Sequence, residues 1–124
     1  MKDYMYIFRN PVSEQDAFVH QSPEQMQAEM EKWTAWMTRL AEQGKLVGGQ
    51  PLFTHGKVVQ GVAKKTVTDG PYVEGKDIVG GYMLVKADSI EEAIELSNGC
   101  PHYESAQATV EIREIMPTGN DQYL

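Results

Sequence analysis

Asp69, Tyr72, Glu74 and Lys76 fall within one short stretch, Asp69-Gly70-Pro71-Tyr72-Val73-Glu74-Gly75-Lys76. It supplies a carboxylate that can give or take a proton, a phenol, a second carboxylate and a cation, a set suited to general acid–base work on a small ligand. Asp69 and Glu74 are the candidate catalytic residues, with Tyr72 and Lys76 as ligand contacts. Asp69 also has a purely structural reading, because an Asp ahead of Gly-Pro can bond the backbone two residues on and fix the turn.

The overlapping run Gly70-Pro71-Tyr72-Val73-Glu74-Gly75-Lys76-Asp77 mimics a phosphate-binding loop up to its final position, where Asp77 replaces the hydroxyl that would meet magnesium. Ile78-Val79-Gly80-Gly81 is a poor helix start and Glu74 repels phosphate, so nucleotide binding is not expected. His20, His55, His102 and Cys100 show no paired metal-ligand spacing, so neither a metal nor a cofactor is expected. Cys100 and His102 flank Pro101, where a nucleophile pair is conceivable but helix-end packing is the plainer role. On the preceding helical segment, Trp36 stands beside the apolar stripe. Core packing is its ordinary reading, and roofing a ligand with its indole N–H is the functional one.

These residues are carried by a regular order of elements. Tyr4 to Arg9 reads as an opening strand that stops at Asn10-Pro11. Ser22-Pro23-Glu24-Gln25 is a capping box with Pro at the first helical position. Met26, Met30, Trp33, Met37 and Leu40 then trace one helical face, until Gly44 supplies the left-handed stop. Lys45 to Phe53, broken by Gly48-Gly49 and Pro51, suits an edge or irregular strand. Val58 to Ala63 and Lys65 to Thr68 form a hairpin arm closed off by Asp69-Gly70-Pro71, and a polar loop over Tyr72 to Gly80 follows. Gly81 to Ala87 reads as a central strand. Ser89-Ile90-Glu91-Glu92 opens a short helix with Ile90, Ala93, Ile94 and Ser97 on one face.

The last strand, Ala108 to Ile115, turns Ala108, Val110 and Ile112 one way and Thr109, Glu111 and Arg113 the other. Residues 116–124 form a loosely held tail. The order strand, long helix, strand, arm, strand, short helix, strand predicts one α+β domain over 1–124. It is a ferredoxin-like plait with an antiparallel sheet, two helices on one face and an inserted β-arm. The other sheet face then lines a partly polar cavity or a subunit interface, which makes Arg113 a ligand contact and a homodimer the expected assembly.

The chain has 124 residues and a net charge of −7, which disfavours direct binding to nucleic acid. A single cysteine and an N-terminus without a signal-like apolar stretch favour the cytoplasm, and no apolar run is long enough to anchor in a membrane.

The chain resembles the YCII-related family, in its DGPF-type branch. The resemblance rests on Lys32-Trp33, Trp36-Met37, Gly44 to Gly49 with Pro51-Leu52, Val67 to Lys76, Gly80-Gly81-Tyr82 and Val110 to Arg113. Tyr72 stands where that branch carries its namesake Phe. The resemblance implies a ferredoxin-like fold that dimerises through its sheets into an α+β barrel, with a pocket between sheet and helices. In other branches the proposed chemistry rests on a His on the first helix and an Asp before a proline, and Trp33 and Cys100 occupy those places here. Trp takes up no proton near neutral pH, so that pair does not carry over. The expectation is a homodimeric protein binding an unidentified small molecule near the Asp-Gly-Pro-Tyr loop. The resemblance implies a second reading, a non-catalytic accessory module that binds a protein partner in transcription initiation.

Overall fold

A computed structural model describes residues 1–14, 21–61, 66–73 and 76–118. Strand β1 (Lys2–Pro11) alternates strictly, with Tyr4, Tyr6 and Phe8 buried on one side and Met5, Ile7 and Arg9 half-buried on the other. The period of two reflects the pleat, and it makes β1 the axis of the sheet. Strand β2 spans Leu46–Pro51, β3 Gly56–Gln60, β4 Thr66–Gly70, β5 Asp77–Ala87 and β6 Thr109–Glu114. The main sheet runs β2-β5-β1-β6 and all its pairings are antiparallel, while β3 and β4 pair only with each other. Without the arm, the order is that of the ferredoxin-like plait predicted from the element sequence.

Helix α1 (Pro23–Glu42) starts where the capping box predicts: Ser22 Oγ accepts the Gln25 N–H at 3.1 Å and Gln25 Oε1 accepts the Ser22 N–H at 2.9 Å. Gly44, at φ +70°, provides the left-handed stop. The buried face differs from the predicted stripe. Trp36 and Leu40 are fully buried, Met26, Trp33 and Met37 are half-buried, and Met30 is exposed. The inward face is thus rotated toward Trp36, because its indole stacks on the Tyr6 ring (centroids 6.1 Å apart) and its N–H donates to the Leu96 carbonyl at 3.0 Å.

Helix α2 (Ile90–Leu96) is capped by Ser89, whose Oγ accepts the Glu92 N–H at 3.1 Å. Its capping box is incomplete, since the Glu92 carboxylate takes the Asp88 N–H and the Lys45 ammonium instead of the Ser89 N–H. Ala93 and Ser97 are buried but Ile90 and Ile94 are exposed, so the predicted face holds at only half its positions. Tyr6 sets this rotation by donating its hydroxyl proton to the Ala93 carbonyl, which draws the small residue, not the isoleucines, onto the sheet.

β5 begins at Asp77, four positions earlier than Gly81, so half of the predicted loop is strand. Gly49 and Gly81 permit β2 to lie against it: a Cβ on Gly49 would sit 2.6 Å from the Tyr82 carbonyl oxygen, and one on Gly81 3.1 Å from that of Gln50. The edge position of β2 and its irregular pairing between Leu46 and Gly48 match the expectation drawn from its glycines and proline. Val110 and Ile112 of β6 pack against the core cluster of Tyr4, Tyr6, Phe8, Trp36, Leu40 and Val85. Among the described residues, no helix is long and apolar enough to cross a membrane.

The sheet face away from the helices carries Met5 opposite Leu84 and Ile7 opposite Tyr82, all half-buried in the single chain. Ion pairs rim this centre, Asp3 with Lys86 and Arg9 with Glu111, each at 3.0 Å.

Candidate functional site

Asp69 lies within β4, opposite Lys57 of β3. Its carboxylate meets the Lys57 ammonium, and the side chain is 88% exposed. The backbone-bonded turn that Asp-Gly-Pro suggests is replaced by this cross-strand ion pair. The ladder runs on through Gly70, opposite Gly56, and ends at Pro71, which has no N–H to donate and is joined to Gly70 by a cis peptide bond. His55, Gly56, Lys57, Asp69 and Gly70 line a shallow hollow of about 450 Å³, and the His55 ring is stacked on Phe53 with centroids 5.0 Å apart.

The loop after Pro71 takes a different course. Tyr72 is 73% exposed, and Glu74 lies outside the described residues. Lys76 is anchored by its backbone, the Val12 N–H donating to the Lys76 carbonyl at 2.7 Å. This bond ties the loop to the end of β1 and to the 3-10 turn Val12–Glu14. Between them is an open hollow of about 800 Å³ lined by Pro11, Val12, Ser13, Val73, Lys76 and Gln107, with Asp77 at its edge. The walls combine apolar surface with a hydroxyl, a carboxamide, an ammonium and a carboxylate, a mixture that orients small polar rings.

The remaining predicted contacts lie elsewhere. Arg113 is on the open face of β6, 4.0 Å from Glu111. Trp36 is 1% exposed, and its N–H is already bonded to Leu96, so it forms part of the core packing. Asp69 and Lys76 thus line two separate hollows, and Tyr72, Arg113 and Trp36 line neither. Ser13 and Gln107 are additional site residues that sequence reasoning did not single out. Ser13 sits in an aperiodic stretch and Gln107 in the approach to β6, and no local pattern brings two such positions together.

Trp33 and Cys100, which stand at the places of the family's acid–base pair, are built into the interior. The Trp33 ring meets Phe8 edge-on at 5.3 Å. Burial pushes the Cys100 thiol up to about 11, partly countered by the backbone N–H of His102, so the sulfur is a neutral thiol at physiological pH. The His102 ring packs on Phe8, and its Nε2 lies 3.0 Å from the Arg9 carbonyl oxygen and 3.1 Å from that of Thr109. Both neighbours are acceptors, so Nε2 carries hydrogen and donates between β1 and β6. His20 lies outside the described residues. Among the described residues, no three His, Cys, Asp or Glu side chains converge as a metal site would require.

Architecture and topology define an α+β plait with one helix-covered and one open sheet face. The chain belongs to the YCII-related family, whose domain model matches residues 3–118. Its fold is similar to that of 5-chloro-2-hydroxyhydroquinone dehydrochlorinase (TftG) from Burkholderia phenoliruptrix, solved in complex with 2,5-dihydroxybenzoquinone. The two share 12% sequence identity, the match covers 96% of this chain and 99% of the other, and the TM-score is 0.53. Comparison with the curated proteins gives no match.

Proposed function

We propose that the protein is a homodimer that binds a small polar ring compound in the hollow between the end of β1 and the Asp-Gly-Pro-Tyr loop. The observation that carries this reading is the placement of Val73 and Lys76, both on that loop, in one wall of the hollow with Pro11, Val12, Ser13 and Gln107. The apolar residues contact a ring face, the Lys76 ammonium meets an anionic oxygen, and Ser13 and Gln107 supply neutral hydrogen bonds. Asp77 accepts from a ligand hydroxyl. The two-fold partner covers the Met5, Ile7, Tyr82 and Leu84 face of the sheet, which a single chain leaves half-open.

In this reading Asp69 is the acid–base candidate of the arm, supported by Tyr72 and Glu74 on the connecting loop, and Arg113 is a contact at the subunit interface. The direct test is calorimetric titration with 2,5-dihydroxybenzoquinone, the compound seen with the structural neighbour, and with a panel of hydroxylated benzoates. Saturable binding that weakens about tenfold or more in Lys76→Met supports the site, in line with loss of a charge-assisted hydrogen bond. Binding that is indifferent to Lys76→Met removes the hollow from the reading. Where turnover is found, an unchanged pH profile in Asp69→Asn assigns Asp69 to its ion pair alone.

A further inference from the structure

Strands β3 and β4 form a two-stranded sheet separate from the main one. Such a hairpin is at best marginally stable in water when it stands alone, so a projecting arm needs a surface to lie on. Val59 and Val67 are directly opposite each other across the arm, and each is 57% exposed. Cross-strand partners share a face, so the two form one apolar patch, and Lys57 lies on the same face two positions away.

By sequence, the 56–70 stretch holds Lys57, Lys64 and Lys65 against Asp69, net +2, which leaves −9 on the rest of the chain. A basic arm on an acidic body is complementary to a second copy of the same body. The body offers a matching surface on α2. Ile90 and Ile94 form an exposed apolar stripe one turn apart, flanked by exposed Asp88, Glu91 and Glu95, and the helix contains no basic residue. In the single chain this stripe is uncovered, because Tyr6 and Trp36 hold the opposite side of α2 against the sheet.

We infer that the β3–β4 arm is exchanged between copies of the chain. Its Val59–Val67 patch seats on the Ile90–Ile94 stripe of the second copy, while the arm's lysines face that copy's Asp88, Glu91 and Glu95. This assignment rests on the homodimer proposed above. Two-fold symmetry makes the exchange reciprocal, so each dimer contains the contact twice.

The test is sedimentation equilibrium of the full chain beside the double variant Val59→Thr/Val67→Thr, which keeps the β-branched shape and removes apolar surface. Ile94→Gln does the same on the receiving helix, and circular dichroism establishes that each variant is folded. A wild-type dimer whose dissociation constant rises about tenfold or more in each variant, with the triple variant no weaker than the worse of the two, supports the exchange. A wild-type dimer whose affinity neither variant changes overturns it while leaving the homodimer intact, and assigns the patch to a different protein or to no partner. A wild-type monomer throughout the concentration range overturns both.

Discussion

At the residue scale, burial and pairing separate side chains that look equally reactive in the sequence. Cys100 has its thiol raised to about 11 from an ordinary 9.0, chiefly by desolvation. A group that holds its proton more tightly when folded contributes full stability below its unfolded pKa and loses it as the pH rises through the folded value. Urea unfolding at fixed protein concentration should therefore show stability falling between about pH 9 and pH 11 in the wild type, and a shallower fall in Cys100→Ala. A parallel decline in both proteins would assign the alkaline loss to other groups. Asp69 is the contrasting case, a largely exposed carboxylate paired with an exposed lysine. Exposed pairs of this kind contribute little, so Asp69→Ala should change the unfolding free energy by less than about 1 kcal/mol, and a larger loss would show that the pair holds the arm.

At the element scale, the capping box of α1 and the close strand approach at β2 make separable predictions. Ser22→Ala removes the acceptor for the Gln25 N–H and should cost about 1 kcal/mol in urea unfolding, whereas Ser22→Asp should restore most of it. Gly49→Ala places a methyl group 2.6 Å from the Tyr82 carbonyl oxygen and should cost roughly 1–3 kcal/mol. Gly48 has open space around its Cβ position, so Gly48→Ala serves as the control and should be close to neutral. Equal losses at the two glycines would mean that strand propensity, not backbone contact, sets the requirement. Both helix starts, the Gly44 stop and the edge character of β2 were legible locally, because caps and breakers act within a few residues of themselves. The helix faces were legible only in part. Met30 and Ile94 satisfy the helical period, but a period identifies neighbours along a helix and not which neighbours turn inward. The long-range bonds of Tyr6 to Ala93 and Trp36 to Leu96 decide that rotation.

At the scale of the whole molecule, electrostatics link elements distant in sequence. Lys45, just after α1, bonds Glu92 of α2 at 2.9 Å, and this lysine together with the Asp88 N–H holds the Glu92 carboxyl below the usual range. A lowered carboxylate contributes stability above its unfolded pKa and loses it as the pH falls through the folded one. Acid unfolding of Glu92→Gln should accordingly be less steep than that of the wild type below about pH 4.5, measured by the pH dependence of the urea midpoint. Identical slopes would remove the pair from the acid transition.

The sequence alone determined the element order, and with it the plait, since alternation, helical period, caps and glycine stops are properties of short stretches. It also marked the arm as an insertion and identified the Asp-Gly-Pro-Tyr stretch as chemically rich. Tertiary structure alone decided which of those groups share a hollow. Asp69 and Lys76 are close in sequence yet line different hollows, because the cross-strand pairing of β4 with β3 holds one on the arm and the Val12 bond ties the other to β1. Ser13 and Gln107 are far apart in sequence yet meet at one hollow, because antiparallel β1 and β6 bring their adjoining segments to the same end of the sheet. Proximity along a chain is covalent, whereas proximity in a site is set by strand register and long-range hydrogen bonds, which no local pattern records.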